Sequence, residues 1–152
     1  FHFRADWQRF GGRWRDMPVL PDHFEVIDAA TEDRPFRLVA APARTFLNST
    51  FTETPGSLAR EKRPTALLNP DDCAALNVAD GDRVRLGNDR GEVTVHVRPQ
   101  DGQQRGVVVV EGIWPNHRFE NGIGINVLTS AQPGWPNGGA VFHDTAVWVK
   151  RA

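Results

Sequence analysis

The segment Asn69-Pro70-Asp71-Asp72-Cys73-Ala74-Ala75-Leu76-Asn77-Val78-Ala79-Asp80-Gly81-Asp82-Arg83-Val84-Arg85-Leu86 reads as one short helix, a tight turn and a strand. Asn69 is a suitable N-cap, Pro70 is preset for the first helical position, and Asp71 and Asp72 suit the positive end of the helix dipole. Asn77 to Asp82 forms the exit turn. Arg83 to Leu86 then alternates polar with apolar residues, and Gly87-Asn88-Asp89-Arg90-Gly91 supplies a reversal. Glu92 to Val97 returns with Val93, Val95 and Val97 on one face. Gly81 and Gly91 are expected to need a permissive backbone in their turns. No residue of the segment offers a reactive group, so it identifies a scaffold and not a chemistry.

On either side the texture is similar from Pro35 onward: short apolar runs broken by Gly, Pro, Asn and Asp, as in a small β-rich barrel. Phe36 to Ala41 reads as a buried first strand, Val107 to Val110 as a strand buried on both sides, and Ala146 to Val149 as a final strand. The polar stretch from Pro42 to Pro64, rich in Asn48, Ser49, Thr50, Thr52 and Thr54, is a long loop, and loops of that length usually carry function. Residues 1–35 lack a sustained period and are expected to be a linker or the remnant of a preceding domain, with Trp7, Phe10 and Trp14 on one amphipathic turn. The domain proper is 36–152.

Composition excludes several classes. Eighteen basic against 19 acidic residues leave a formal charge of -1, so there is no general attraction to nucleic acid or to an anionic membrane, and any anion site must be local. No stretch has the apolar length of a membrane span. The single Cys73 excludes an internal disulfide and any cysteine-rich metal or iron-sulfur site within the chain. His2, His23, His96, His117 and His143 show no metal-ligand spacing, and neither Ser49 nor Ser57 lies in a Gly-x-Ser-x-Gly context, which argues against a hydrolase. The first residue is Phe1, and Phe1 to Arg15 mixes aromatics with arginines, so the chain reads as a piece of a longer protein whose export signal, if any, lies upstream.

The Asn69–Leu86 run with Arg90-Gly91-Glu92-Val93 resembles the C-terminal dinucleotide-binding domain of the dimethyl sulfoxide reductase family, which includes formate dehydrogenases and nitrate reductases. Two more segments in the same order carry the resemblance: Leu38 to Thr50, and Gly124 to Thr129 followed by Ala140 to Val147. It covers roughly Phe36 to Ala152. The resemblance implies a mainly β, six-stranded double-psi β-barrel with short helices and an N-terminal extension. It implies binding of bis(molybdopterin guanine dinucleotide) with molybdenum or tungsten, completed by the remaining domains of a parent oxidoreductase. Catalytic and metal-ligating residues are then expected elsewhere in the parent, and this domain alone should be catalytically incomplete.

Such a ligand needs many hydrogen-bond donors in a preformed cleft. By resemblance the contacts are Ala43, Arg44, Leu47, Asn48, Ser49 and Thr50 in the first loop, Trp114, the pair Asn126 and Thr129, and Phe142 with His143. Arg44 offers a planar charged fork, while Asn48, Ser49 and Thr50 offer polar edges. Composition alone reads those three as an ordinary polar turn, Trp114 equally as core, Asn126 equally as a turn residue, and His143 as an exposed edge residue. The family usually carries a basic residue near the position of His143. The alternative function is a free-standing double-psi barrel acting as a structural or protein-interaction module; a carrier of another nucleotide is a third.

Overall fold

The structure is a computed structural model that describes residues 23–25, 27–134 and 138–152. Six strands close into a barrel: β1 (Phe36–Ala41), β2 (Thr65–Leu68), β3 (Arg83–Asn88), β4 (Gly91–Pro99), β5 (Val107–Glu111) and, after a small ribbon of β6 (Pro133–Gly134) and β7 (Gly139–Ala140), β8 (Thr145–Arg151). Around the barrel the order is β1-β5-β2-β4-β3-β8. β1 runs parallel to β5 and β2 parallel to β4, while the other four pairings are antiparallel. This is the mixed six-stranded, mainly β barrel expected of the double-psi fold. The compact unit that contains it comprises Ile27–Ser130 and Phe142–Ala152; β6 and β7 lie outside that unit, where Pro133 pairs with Ala140.

Strand alternation fills the barrel. Leu38, Ala66, Leu68, Val84, Leu86, Val93, Val95, Val97, Val108, Val110 and Val147 are buried to 2% exposure or less. Burying each of the larger of these side chains contributes roughly 1.5–3 kcal/mol against the chain entropy lost. Val107 and Val109 are only half-buried, so β5 is not covered on both sides as its uninterrupted valines suggest; it alternates as an antiparallel neighbour of β2.

Helix α2 (Pro70–Leu76) begins as the sequence predicts. The Asn69 side chain accepts from the Asp71 N–H at 2.8 Å, and Asn77 ends the helix in the left-handed region at φ 52. Asp72 is buried and accepts from the Gly106 N–H at 2.7 Å, which ties the helix to the approach to β5.

Three local readings differ. The stretch from Pro42 to Pro64 is not all loop, because it contains α1 (Pro55–Glu61). Thr54 and Pro55 mark its start, although Thr54 makes no side-chain cap bond and the first turn holds no acid. The reversal after Leu86 is tighter than five residues: Asn88 pairs with Gly91, leaving Asp89 and Arg90 as the turn. Gly91 does not have a positive φ, whereas Gly81 does, at 83°. Gly91 is required instead by crowding, since a Cβ there would lie 2.7 Å from Val127 Cγ2.

The reading of residues 1–35 as a linker falls largely outside the described residues, as does the proposed turn of Trp7, Phe10 and Trp14. Within the described part, Asp28 pairs with Arg90 at 2.7 Å and Arg34 with Asp89 at 3.2 Å, so this segment is clipped to the β3–β4 turn.

Candidate functional site

Because β1 and β5 are parallel, Ala41 and Glu111 finish side by side at one end of the barrel. The Gly112 N–H donates to the Ala41 carbonyl at 2.8 Å, and the chain leaves β5 with Gly112 at φ 85. A Cβ on Gly112 would stand 3.0 Å from both Ala43 Cβ and Phe46 Cδ2. Glycine therefore serves here both the left-handed backbone and the close approach of the following loop.

An open cleft of about 550 Å³ lies at this end, lined by Ala40, Ala41, Pro42, Ala43, Asn48, Gly112, Ile113, Asn126, Thr129, Phe142 and His143. Six sequence-predicted residues thus come together from three distant segments: Ala43, Asn48, Asn126, Thr129, Phe142 and His143. Ala40, Ala41, Pro42, Gly112 and Ile113 were missed; the glycine directly after an apolar strand is the signal that could have found the last two.

The first loop is a tight turn. Leu47 and Thr50 exchange backbone hydrogen bonds at 3.1 and 2.8 Å, with Asn48 at φ 52, a conformation that asparagine tolerates better than most residues. Arg44, Leu47, Ser49 and Thr50 are exposed and lie outside the cleft lining. Helix α1 braces the loop: Glu61 Oε1 accepts from the Thr45 N–H and hydroxyl, and the Ser57 hydroxyl donates to the Thr45 carbonyl.

The second segment is a 3-10 turn, Ile125–Leu128, whose Ile125 and Leu128 are buried. The Leu128 carbonyl accepts from Asn88 Nδ2 at 2.8 Å and Arg90 Nη1 at 3.3 Å. This anchoring leaves Asn126 exposed at the cleft. The Thr129 hydroxyl donates to the Asn126 carbonyl at 2.9 Å, so it can offer a ligand only its acceptor lone pairs. The close approach at Gly124 is internal: a Cβ there would meet Asn116 Oδ1 at 2.5 Å.

The third segment enters β8. The Phe142 and His143 rings are 4.2 Å apart, and Phe142 remains 49% exposed. Asp144 has φ 62 and is ion-paired with Arg37 of β1, which holds the kink between the cleft segment and the strand.

Trp114 belongs to the core. It is 3% exposed, its indole N–H donates to the Glu111 carbonyl at 3.1 Å, and it meets Phe46 edge-on at 4.7 Å.

Among the described residues, the lining contains no carboxylate. Its polar groups are the amides of Asn48 and Asn126, the Thr129 hydroxyl and the His143 imidazole, beside the exposed face of Phe142. Such a donor and acceptor set suits a flat heterocycle with several hydrogen-bonding edges.

Known proteins share this chain's sequence and fold. It is 30% identical over 135 residues to a probable oxidoreductase, YoaE, of Bacillus subtilis (strain 168), covering 89% of this chain and 19% of that protein. It is 29% identical over 140 residues to the dimethyl sulfoxide reductase DmsA of Escherichia coli (strain K12), covering 89% of this chain and 17% of the relative. The chain therefore spans less than a fifth of the length of either. Acetylene hydratase from Pelobacter acetylenicus superposes with a TM-score of 0.75 over 99% of this chain and 23% of its own, at 14% identity, a likeness of fold alone. The family described as the molydopterin dinucleotide binding domain matches residues 36–146, and the chain belongs to it, homologous to the dimethyl sulfoxide reductase family of molybdopterin oxidoreductases.

Proposed function

We propose that this is the C-terminal cofactor-binding domain of a molybdenum- or tungsten-dependent oxidoreductase, and that its cleft takes the pterin and guanine-dinucleotide parts of bis(molybdopterin guanine dinucleotide). The observation that carries the reading is the convergence of Asn48, Asn126 and His143 on one open cleft in a chain of this family. The donor set fits the group. The two amides and the imidazole match the mixed donor and acceptor edges of pterin and guanine, and Phe142 offers a ring face for stacking. Arg44, exposed beside the cleft loop and without an ion-pair partner among the described residues, is the charged donor for a phosphate.

In this reading Asn126 and Asn48 orient the heterocycles, Arg44 neutralises phosphate charge, and the Phe142 side excludes water. When bound, the cofactor supplies a metal centre able to exchange electrons or oxygen atoms. The residues that ligate the metal and select the substrate belong to the rest of the parent polypeptide, and those remaining domains are this domain's partners.

Metal and guanine-bearing pterin analysis of the full-length parent, produced where the cofactor is made, tests the reading. Near-stoichiometric cofactor in the parent, reduced in both Arg44→Ala and Asn126→Ala with the barrel still folded, is expected. A parent free of metal and pterin removes the reading and favours the interaction-module alternative; undiminished occupancy in both variants removes these two residues from the site.

A further inference from the structure

Among the described residues, every arginine outside segment 44–63 is ion-paired with a carboxylate, and Lys150 stands 4.7 Å from the Trp148 ring. Arg44, Arg60, Lys62 and Arg63 have neither kind of partner among the described residues, although the chain as a whole has a formal charge of -1. The last three of these surround a cavity of about 210 Å³ that also includes Thr65, His96 and Arg98 in its lining, with Glu61 and Asp80 as the acids. It shares no lining residue with the cleft.

The two acids do not cancel this charge. Glu61 directs its Oε1 to the N–H and the hydroxyl of Thr45 but belongs to the lining and keeps its negative charge. Arg98 is already paired with Glu111 at 3.4 Å. What remains is Arg60, Lys62 and Arg63 against Glu61 and Asp80, a net positive charge. The backbone holds the charges in place: Lys62 sits at φ 65, and buried Pro64 leads directly into β2, where Thr65 pairs with His96 of β4.

We infer that this cavity is a second anion site, taking a phosphoryl group. Three cations against two carboxylates leave an excess of positive charge for an anion, and the guanidinium forks of Arg60 and Arg63 match tetrahedral phosphate oxygens. His96, half-buried within the lining, adds a ring N–H. The phosphoryl group is either free phosphate or part of a larger bound molecule that reaches along α1.

Equilibrium dialysis of radiolabelled inorganic phosphate against the full-length protein, with ionic strength fixed by chloride, tests the site. Cofactor-free protein should take up phosphate saturably at one high-occupancy site per chain. The double variant Arg60→Gln/Arg63→Gln should weaken it by at least roughly tenfold, the loss expected from removing charge-assisted hydrogen bonds. Lys62→Gln alone should weaken it less. Arg34→Gln, which removes an equivalent charge elsewhere, should leave uptake unchanged. If cofactor-loaded protein also binds phosphate, the natural ligand is separate from the cofactor; if only cofactor-free protein does, the phosphoryl belongs to the cofactor. Linear uptake, equal loss in Arg34→Gln, or full uptake by the double variant overturns the inference.

Discussion

Glu61 reaches back sixteen residues to Thr45, where one carboxylate oxygen accepts the backbone N–H at 2.9 Å and the hydroxyl at 2.6 Å. Ser57, one turn earlier on α1, donates to the Thr45 carbonyl at 3.1 Å. The peptide that follows Arg44 is therefore held on both sides by a helix that contributes no residue to the cleft lining. Glu61→Ala should leave the Thr45 N–H without its partner and destabilise the protein by about 1–3 kcal/mol. Amide exchange across residues 43–50 should accelerate while the barrel strands remain protected. Glu61→Gln keeps a carbonyl acceptor and should restore most of the protection. Wild-type exchange in Glu61→Ala would show that the loop is held by other contacts.

Two glycines that look alike in sequence should respond differently to alanine. At Gly91 the problem is space, because the new methyl would press on Val127 at 2.7 Å; overpacking of this kind costs about 1–3 kcal/mol. At Gly81 the problem is the backbone at φ 83, where the nearest side-chain atom, Arg63 Nη2, is 3.5 Å away, and the left-handed penalty is roughly 1–2 kcal/mol. Adding Val127→Ala should therefore recover stability in Gly91→Ala and not in Gly81→Ala. Denaturant unfolding of the four variants reads this, and equal recovery in both would contradict the distinction.

The same contrast explains what could be read from sequence. The Asn69 cap, the strand pair around Asp89 and the valine face of β4 were legible because local rules and tertiary packing agree there. Helix α1 and the four-residue β2 were not, since each is stabilised by distant partners, Thr45 for the helix and the parallel neighbour β4 for the strand. At the cleft, Asn48, Asn126 and His143 were found through resemblance. The core role of Trp114 became visible only with Phe46 set against it. Gly112 and Ile113 escaped notice because a glycine after an apolar strand marks only a turn, while its place in the cleft follows from the β1–β5 register.

Asn88 should prove essential to the geometry around Asn126. It is buried, its amide donates to the Leu128 carbonyl at 2.8 Å, and its Oδ1 accepts from the Arg90 N–H at 2.9 Å. Asn88→Ala removes both bonds and leaves Leu128 only the longer contact from Arg90 at 3.3 Å. A loss of about 1–3 kcal/mol is expected, together with faster exchange in residues 125–129. Asn88→Asp should not rescue, because it keeps the acceptor for Arg90 and loses the donor for Leu128. Full recovery by Asp would assign the stabilising role to the β3–β4 turn instead.

Acid should destabilise the fold through His96 before it reaches the carboxylates. Burial holds the His96 imidazole below its ordinary value of 6.5, with the positive charge of Arg63 acting in the same direction and Glu120 opposing it. The unfolded chain therefore binds a proton at higher pH than the folded one. Stability is complete above the unfolded value and falls as pH drops below it, until the folded imidazole is also protonated. Glu53 acts in a separate and more acidic window. Its hydrogen bond to Arg118 holds its carboxyl low, so its contribution is present above the ordinary carboxylate range and is lost as pH falls through the depressed value. Urea unfolding between about pH 5 and 8 should thus show a slope that His96→Gln abolishes and Glu53→Gln leaves in place. A slope that survives in His96→Gln would assign the proton uptake to another group.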